Sequence, residues 1–399
     1  MPVWHEATKE WVREGRLAVL GVAQEHHPDR CRLFAQWKGF DFPILHDPIN
    51  VIGAKAVPLI IAIDEQGIVR AVRPKLEGFE QNFLNKSFKA IEKDVGPKAK
   101  PSAPDIDALR RQAELINSAD AWRDLGDGLA LWHSTSRIKD AISAYSQCLR
   151  IDPGDEAALF RLGVCYRMRH ESALRQAGDF QKAVDLWSQA LAKDPNQYIW
   201  RRRIQQYGSR LDKPYPFYDW MEKAEKDIKA RGEEPVALHI LPSESEIAQP
   251  IKKPLAALKK SVSPDPDGRI HRDTSGFIEA EVTAVPSSID PGGSARIHVV
   301  FRPNVSLEAH WNNEAEPLRL WVELPEGWVI DNRLLVAPQP EEIESAELRR
   351  FDFDIQSPKN VASGRVRLSA YALYYACEGI KGTCQFLRRD IDIEIDIIR

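Results

Sequence analysis

The stretch RVRLSAYALYYACEGIKGTCQFLRRDIDIEI, Arg365 to Ile395, reads as two long strands joined by a short loop. In its second half Ile391, Ile393, Ile395 and the following Ile397 alternate with Asp392, Glu394 and Asp396, the period-two signature of a strand with one apolar and one wet face. The loop Glu378-Gly379-Ile380-Lys381-Gly382-Thr383 contains two glycines, which supply backbone angles that other residues avoid, so the chain turns back there. Cys377 and Cys384 flank it and can reach the ~5.5–6 Å Cα separation of a disulfide. Lys381, Arg388 and Arg389 favour a thiolate at this pair, and Glu378 opposes one. Three readings stay open: a redox pair that exchanges, a disulfide that staples the hairpin, and two buried free thiols.

Working upstream, Ala295, Ile297, Val299 and Phe301 share one strand face, and Phe351, Phe353 and Ile355 share another. Turn clusters at Asp290-Pro291-Gly292-Gly293 and Pro325-Glu326-Gly327 separate the strands, so residues 273–399 predict an all-β, immunoglobulin-like sandwich. His310-Trp311 either shields the cysteine loop or packs against the sandwich.

Residues 231–272 are rich in Pro, Ser and Lys and read as a linker. Residues 107–230 read as helices that repeat. Trp122, Leu125, Gly126, Ala141, Tyr145 and Pro153 are answered by Leu159, Leu162, Gly163, Tyr166, Ala183, Trp187, Ala190 and Pro195. These resemble the large and small packing positions of tetratricopeptide repeats, with about three extra residues before Ala141 and about eight before Ala183 relative to the ~34-residue unit. Asn196 to Gly208 and Phe217 to Ala230 are expected as capping helices. Cys148 and Cys165 sit where small apolar residues pack. Within YIWRRRIQQYGSR, Arg201, Arg202, Arg203 and Arg210 with Trp200 and Tyr207 read as a solvated face of a capping helix, the alternative being a site for an acidic peptide.

Residues 1–95 alternate helix and strand signals, and GPKAKPSAPD within 96–106 is a linker by composition. Expected elements are a strand Leu17 to Ala23, a helix Pro28 to Lys38, a buried strand Pro58 to Ile63, a strand Ile68 to Val72 and an amphipathic helix from Phe79. Cys31 reads as a helix thiol packed among Leu33, Phe34 and Trp37. His26 and His27 have no second ligand cluster at metal spacing and read as a loop feature.

The totals narrow the function. At 399 residues the chain exceeds one ordinary core, and its 43% hydrophobic and 29% charged content is that of a globular protein. A net charge of -4 without charge blocks argues against nucleic acid and anionic membrane as partners. No apolar run reaches the ~18 residues of a membrane span. No phosphate-binding glycine loop, zinc motif or hydrolase elbow occurs, so no cofactor or metal is expected.

Two further resemblances attach to particular residues. AVLGVAQEHHPDRCRLFAQWKGFDFPILHDP, followed by AVPLIIAIDEQGIVR, resembles thioredoxin-like redoxins of the TlpA and ResA type over about a quarter of the chain. The resemblance implies a partial α/β thioredoxin-like domain in which Pro58 is the cis proline beside the redox cysteines. It aligns Met1 with an internal methionine, so the family's Cys-x-x-Cys is expected upstream of the sequence given. EAHWNNEAEPLRLWVELPEGW and the opening stretch resemble the amino-terminal domain of the thiol:disulfide interchange protein DsbD over the last third. That implies Cys377 and Cys384 as the exchanging pair, with Tyr374 and Tyr375 in the aromatic strand leading to it. The stretch departs from the pattern in having six residues between its cysteines, and Gln385-Phe386 where a proline often follows.

The expected function is thiol-disulfide exchange with protein thiols or disulfides as partners, the alternative being a non-catalytic adaptor that binds peptides on its repeats. The sequence as given has no signal peptide and points to the cytoplasm; a truncated amino terminus would instead fit a periplasmic or other extracytoplasmic setting, where such chemistry belongs.

Overall fold

A computed structural model describes residues 2–88, 103–253, 255, 262–379 and 382–398. The first elements are α1 (Pro2–Arg13), β1 (Gly21–Ala23), α2 (Pro28–Lys38), β2 (Ile44–His46), β3 (Ile61–Ile63) and β4 (Val69–Val72). Helices follow: α3 (Ile106–Ile116), α4 (Ala119–Trp132), α5 (Ile138–Ile151), α6 (Glu156–His170), α7 (Asp179–Lys193), α8 (Tyr198–Tyr207), α9 (Met221–Ala230) and α10 (Glu244–Ile247). The strands β5 (Ile278–Val285), β6 (Ser288–Ile289), β7 (Ser294–Pro303), β8 (Ala309–Asn312), β9 (Arg319–Val322) and β10 (Val329–Ile330) come next. The chain closes with β11 (Leu334–Val336), β12 (Glu344–Ser345), β13 (Arg349–Gln356), β14 (Gly364–Glu378) and β15 (Cys384–Ile397). The protein is therefore a mixed chain of helices and antiparallel sheets, and it divides into two compact units. No helix among the described residues is long and apolar enough to cross a membrane.

The first unit comprises Met1–Ser172, Gln189–Arg201 and Trp220–Leu241. Helix α2 occupies the expected span, with Pro28 in its first turn and Gly39, at φ 63°, closing it through N–H bonds to Ala35 and Gln36. Trp37 stacks on Trp220 at 5.8 Å and donates its indole N–H to Asp227 at 2.9 Å, which holds α2 against α9. Other expectations need correction. The strand predicted from Leu17 forms only at Gly21–Ala23, and β1 pairs with β2 in parallel while β3 pairs with β4 separately. The predicted buried strand contributes only Ile61–Ile63, with Ile61 41% and Ile63 53% exposed, because a two-stranded ribbon buries one face alone. Where a helix is predicted from Phe79 there is a five-residue π-helical stretch, Glu80–Leu84, and Phe79 packs on Trp4, Trp11 and Phe83. In the helical part, Asp105, Ser118 and Asp155 accept the N–H of Ala108, Ala121 and Ala158, so the starts of α3, α4 and α6 are capped from the sequence. A Cβ at Gly126 would lie 2.6 Å from the Tyr145 ring, so only glycine lets α5 approach α4 this closely.

The second unit comprises Ala173–Ser188, Arg202–Asp219 and Pro242–Arg399. One sheet has the order β10-β13-β7-β5; the other runs β11-β9-β14-β15-β6, with β8 pairing β14 and β12 pairing β8. Their facing apolar residues, among them Ile297, Val299, Phe353, Leu320, Ala372 and Ile393, form one buried cluster, giving a sandwich-like pair of sheets. Of the arginines expected on a solvated face, Arg201 is exposed and the other three are not on it. Arg202 and Arg203 are buried, the Arg202 guanidinium lying 3.9 Å over Tyr215 and 4.1 Å over Phe217. Arg210 donates to Asp354 at 3.1 Å and also to Asp331. Carboxylates and rings thus satisfy cations that composition alone assigns to water.

Candidate functional site

Strand β14 is central in its sheet, with β15 on one side and β9 then β8 on the other. Side chains alternate across a strand, so Leu368, Ala370, Ala372, Tyr374 and Ala376 enter the core between the sheets, while Tyr371, Leu373, Tyr375 and Cys377 point to the outer face. Cys384 is the register partner of Cys377, and the two are joined in a disulfide across β14 and β15 with Cα atoms 4.0 Å apart. That spacing is close to that of a non-hydrogen-bonded antiparallel pair. Just past Cys377, Gly379 has φ 61°, a left-handed conformation that favours glycine.

The two sulfur positions differ. Cys377 is 1% exposed, with β8 on its far side, where His310 is its register partner. Cys384 is exposed, because at this row β15 is an edge; its pairing with β6 is confined to Asp396 and Ile397. A row His310–Cys377–Cys384 therefore crosses three strands on the outer face. His310 approaches Glu344 at 3.5 Å, while its neighbour Trp311 enters the core, edge-on to Tyr374, and donates to the Glu347 carbonyl at 2.8 Å. The pair left open by the sequence thus splits, histidine toward the disulfide face and tryptophan into the packing.

Two rows along, on the same face, Tyr375 stacks on its register partner Phe386 at 4.6 Å. Tyr374 is on the opposite face. Its hydroxyl donates to Asp273 at 2.7 Å, and Asp273 also accepts the N–H groups of Gly276, Phe277 and Ile278. Burial first, and the Asp273 carboxylate second, push the Tyr374 hydroxyl far above its ordinary pKa, so it stays neutral and acts as a fastener. Pro58 belongs to the first unit, where the Val57–Pro58 bond is cis.

The expectation that Arg388 and Arg389 favour a thiolate is corrected. Arg388 lies four residues along β15 from Cys384, ~13 Å at ~3.3 Å per residue. Its charge is taken by Asp265 at 2.8 Å and Asp390 at 2.7 Å, and it lies 3.8 Å over Tyr371. Arg389 donates to the Asp273 carbonyl at 3.3 Å. Lys381 and Ile380 lie outside the described residues. Sequence reasoning also misses Ser263 and Asp265, which bind the Tyr371 hydroxyl at 2.6 and 3.0 Å from a segment read as linker.

The other thiols are buried or pushed out of range. Burial, then the nearby Glu25 and Asp29, push Cys31 up to about 12. Burial and Asp155 push Cys148 to about 12 as well, and burial raises Cys165 further. In the first unit His26 and His27 are buried, and Glu171, 144 residues beyond His27, reaches both rings. Burial would lower His27, but its hydrogen bonds to Glu171 and Glu25 outweigh this and raise it to about 9. Burial and the His27 charge lower His26 to about 4. Burial would raise Glu171, but the Arg167 charge and the two histidines hold it well below the usual range.

No protein-family model matches the chain, and no curated protein does. Among solved structures, AvmM, which catalyses macrocyclisation in alchivemycin A biosynthesis, aligns with 33% of this chain and 96% of its own at 11% identity and a TM-score of 0.21. Spo0M, a sporulation control protein of Bacillus subtilis, aligns over 31% of this chain and 50% of its own, at 13% identity and a TM-score of 0.19. The bacterial hydrophobin BslA aligns over 30% and 94%, at 14% identity and a TM-score of 0.16. None of these is described as a redoxin, a repeat protein or a disulfide-interchange protein, and likeness at such scores carries no argument.

Proposed function

We propose that the protein is a thiol-disulfide exchange protein with Cys377–Cys384 as its redox centre. On this reading the paired sheets are an immunoglobulin-like sandwich of the interchange-protein type, the helices a tetratricopeptide spacer, and residues 1–95 a redoxin-like module. The unequal exposure of the two sulfurs carries the proposal, because it gives the exchange a direction.

A partner thiolate attacks the exposed Sγ of Cys384, the Sγ–Sγ bond breaks, and its electron pair leaves on Cys377 as a thiolate. A mixed disulfide now joins partner and Cys384. A second thiolate of the partner attacks the partner sulfur of that bond and releases Cys384 as a thiolate. The partner dithiol has lost two electrons to become a disulfide, and Cys377 and Cys384 are reduced. Both thiolates then take protons from solvent according to pH. His310 is the register neighbour of Cys377 on the side away from Cys384.

Thiol trapping of the full chain across glutathione redox buffers tests this. A reversible two-electron couple between about −180 and −300 mV is expected, the range between known exchangers and inert structural bonds. A disulfide that stays closed below that range, or that opens only when the protein unfolds, would make it a staple and leave the chain a binding scaffold.

A further inference from the structure

We propose a second site in the first unit: Glu25, His26 and His27 bind a divalent transition-metal cation of the zinc class, and Glu171 fixes both imidazoles for it. Each ring is held between two carboxylates. Nε2 of His26 and of His27 lie 3.2 and 2.9 Å from the same Oε2 of Glu171. Nδ1 of His26 and of His27 lie 3.4 and 3.0 Å from the same Oε1 of Glu25. The rings lie together with centroids 3.8 Å apart.

Counting protons singles out the Glu25 corner. Two neutral imidazoles carry one N–H each, yet four ring nitrogens face carboxylate oxygen. With both Nε2–H groups donating to Glu171, both Nδ1 lone pairs face Oε1 of Glu25, and a cation at that corner engages nitrogen and oxygen lone pairs together. The two rings are tilted by 42° with centroids 3.8 Å apart, and both bring Nδ1 to that one oxygen. A single metal ion engages both nitrogens and the oxygen at once.

The distances suit such an ion. Bonds of ~2.0–2.1 Å at tetrahedral angles set ligand atoms about 3.3 Å apart, and the Nδ1–Oε1 separations here are 3.4 and 3.0 Å. One ligand atom from each of Glu25, His26 and His27 lies within 4.8 Å of the others. Glu25 is steered by the backbone N–H groups of His26 and His27 at 2.8 and 3.1 Å, and 18% exposure of its side chain gives the coordination sphere a solvent side. Glu171, anchored by Arg167 at 2.7 Å, plays the part of the carboxylate that fixes the tautomer of a metal-bound histidine. This inference is independent of the disulfide reading, since none of its atoms belong to that site.

The test is calorimetric titration of the full chain, disulfide closed, with zinc, paired with the visible spectrum of the cobalt(II) form. One equivalent is expected to bind with Kd about 10 μM or tighter, and the cobalt spectrum should carry ligand-field bands without a thiolate charge-transfer band. His26→Ala/His27→Ala should weaken zinc at least tenfold, and Glu171→Gln about 10–100-fold. Cys31→Ser should leave the affinity unchanged. If the double variant loses its circular dichroism, Glu25→Gln at the solvent side serves in its place, with the same tenfold loss expected. The proposal is overturned by Kd weaker than about 1 mM, by undiminished affinity in the folded His26→Ala/His27→Ala or Glu25→Gln variant, or by a thiolate band that disappears with Cys31→Ser.

Discussion

Reduction of the disulfide creates two thiols whose reactivities should differ by about a hundredfold, and the factor can be worked from the strand pairing. Cys384 is reached directly from solvent, whereas an attacking reagent reaches Cys377 only after β8 or β15 lifts from β14. Strand β8 is held to β14 through three register pairs, Ala376↔Trp311, Cys377↔His310 and Glu378↔Ala309. At ~1 kcal/mol net for each of about three hydrogen bonds, opening costs about 3 kcal/mol and leaves roughly one molecule in 150 reactive at any instant. The assay alkylates the freshly reduced chain with iodoacetamide over a range of pH and quantifies each cysteine by peptide mass spectrometry. Limiting rate constants for the ionised thiols should favour Cys384 over Cys377 by about 10²-fold, with Cys31 and Cys148, pushed up to about 12, unreacted near pH 8. In a Cys377→Ser chain the Cys384 thiolate should accordingly attack oxidised glutathione, form a mixed disulfide and release one glutathione thiolate, whereas Cys377 of Cys384→Ser should not. Equal rates at the two positions, or Cys377 reacting first, would refute the directional attack on which the mechanism rests.

Three other perturbations follow from buried polar groups. Lys213 is buried, donates to the Ser245 carbonyl, and burial, then the Arg296 charge, lowers it to about 8. Unfolded lysine titrates near ~10.4, so the unfolded chain binds more protons between those values and stability rises as pH climbs from about 8 to 10; comparison of denaturant midpoints should show that rise lost in Lys213→Met. Arg202→Ala should cost about 1–2 kcal/mol in chemical denaturation by removing a cation that lies over two rings, whereas the exposed Arg201→Ala should cost under about 0.5 kcal/mol. Tyr374→Phe removes a hydrogen bond to a buried carboxylate and should cost about 1.5–3 kcal/mol, while its glutathione midpoint should remain that of the parent because the ring lies on the face opposite the disulfide.

The features legible in the sequence are those carried by local period. Alternating isoleucines after Asp390 predict a strand with one buried face, and Ile391, Ile393, Ile395 and Ile397 are buried with exposed or half-buried acids between them. Glycine and tyrosine at Gly126 and Tyr145 mark a close helix approach because no other residue pair of that shape fits. The same alternation, applied from the apolar Ala309 and Trp311, puts His310 and Asn312 on the outer face, while the strand register that sets His310 beside Cys377 comes from the sheet. Composition misleads where a polar segment finds specific partners. Ser263 and Asp265 look like linker chemistry, yet both bind the Tyr371 hydroxyl of β14.

What a linear pattern does not contain is the partner of a buried charge. His26 and His27 read as a loop feature because their second carboxylate, Glu171, lies at the end of a helix 144 residues past His27, and nothing between them signals the meeting. The cysteines are the opposite case, since they are seven positions apart and a hairpin brings them together. Yet even there the sequence treats the two sulfurs as equals. Their inequality arises from the sheet: β14 has a neighbour on both sides at this row and β15 has one. Because side chains alternate with period two, slipping β15 by one residue would turn Cys384 into the core and break the pair, so the register that builds the core also decides which sulfur meets solvent.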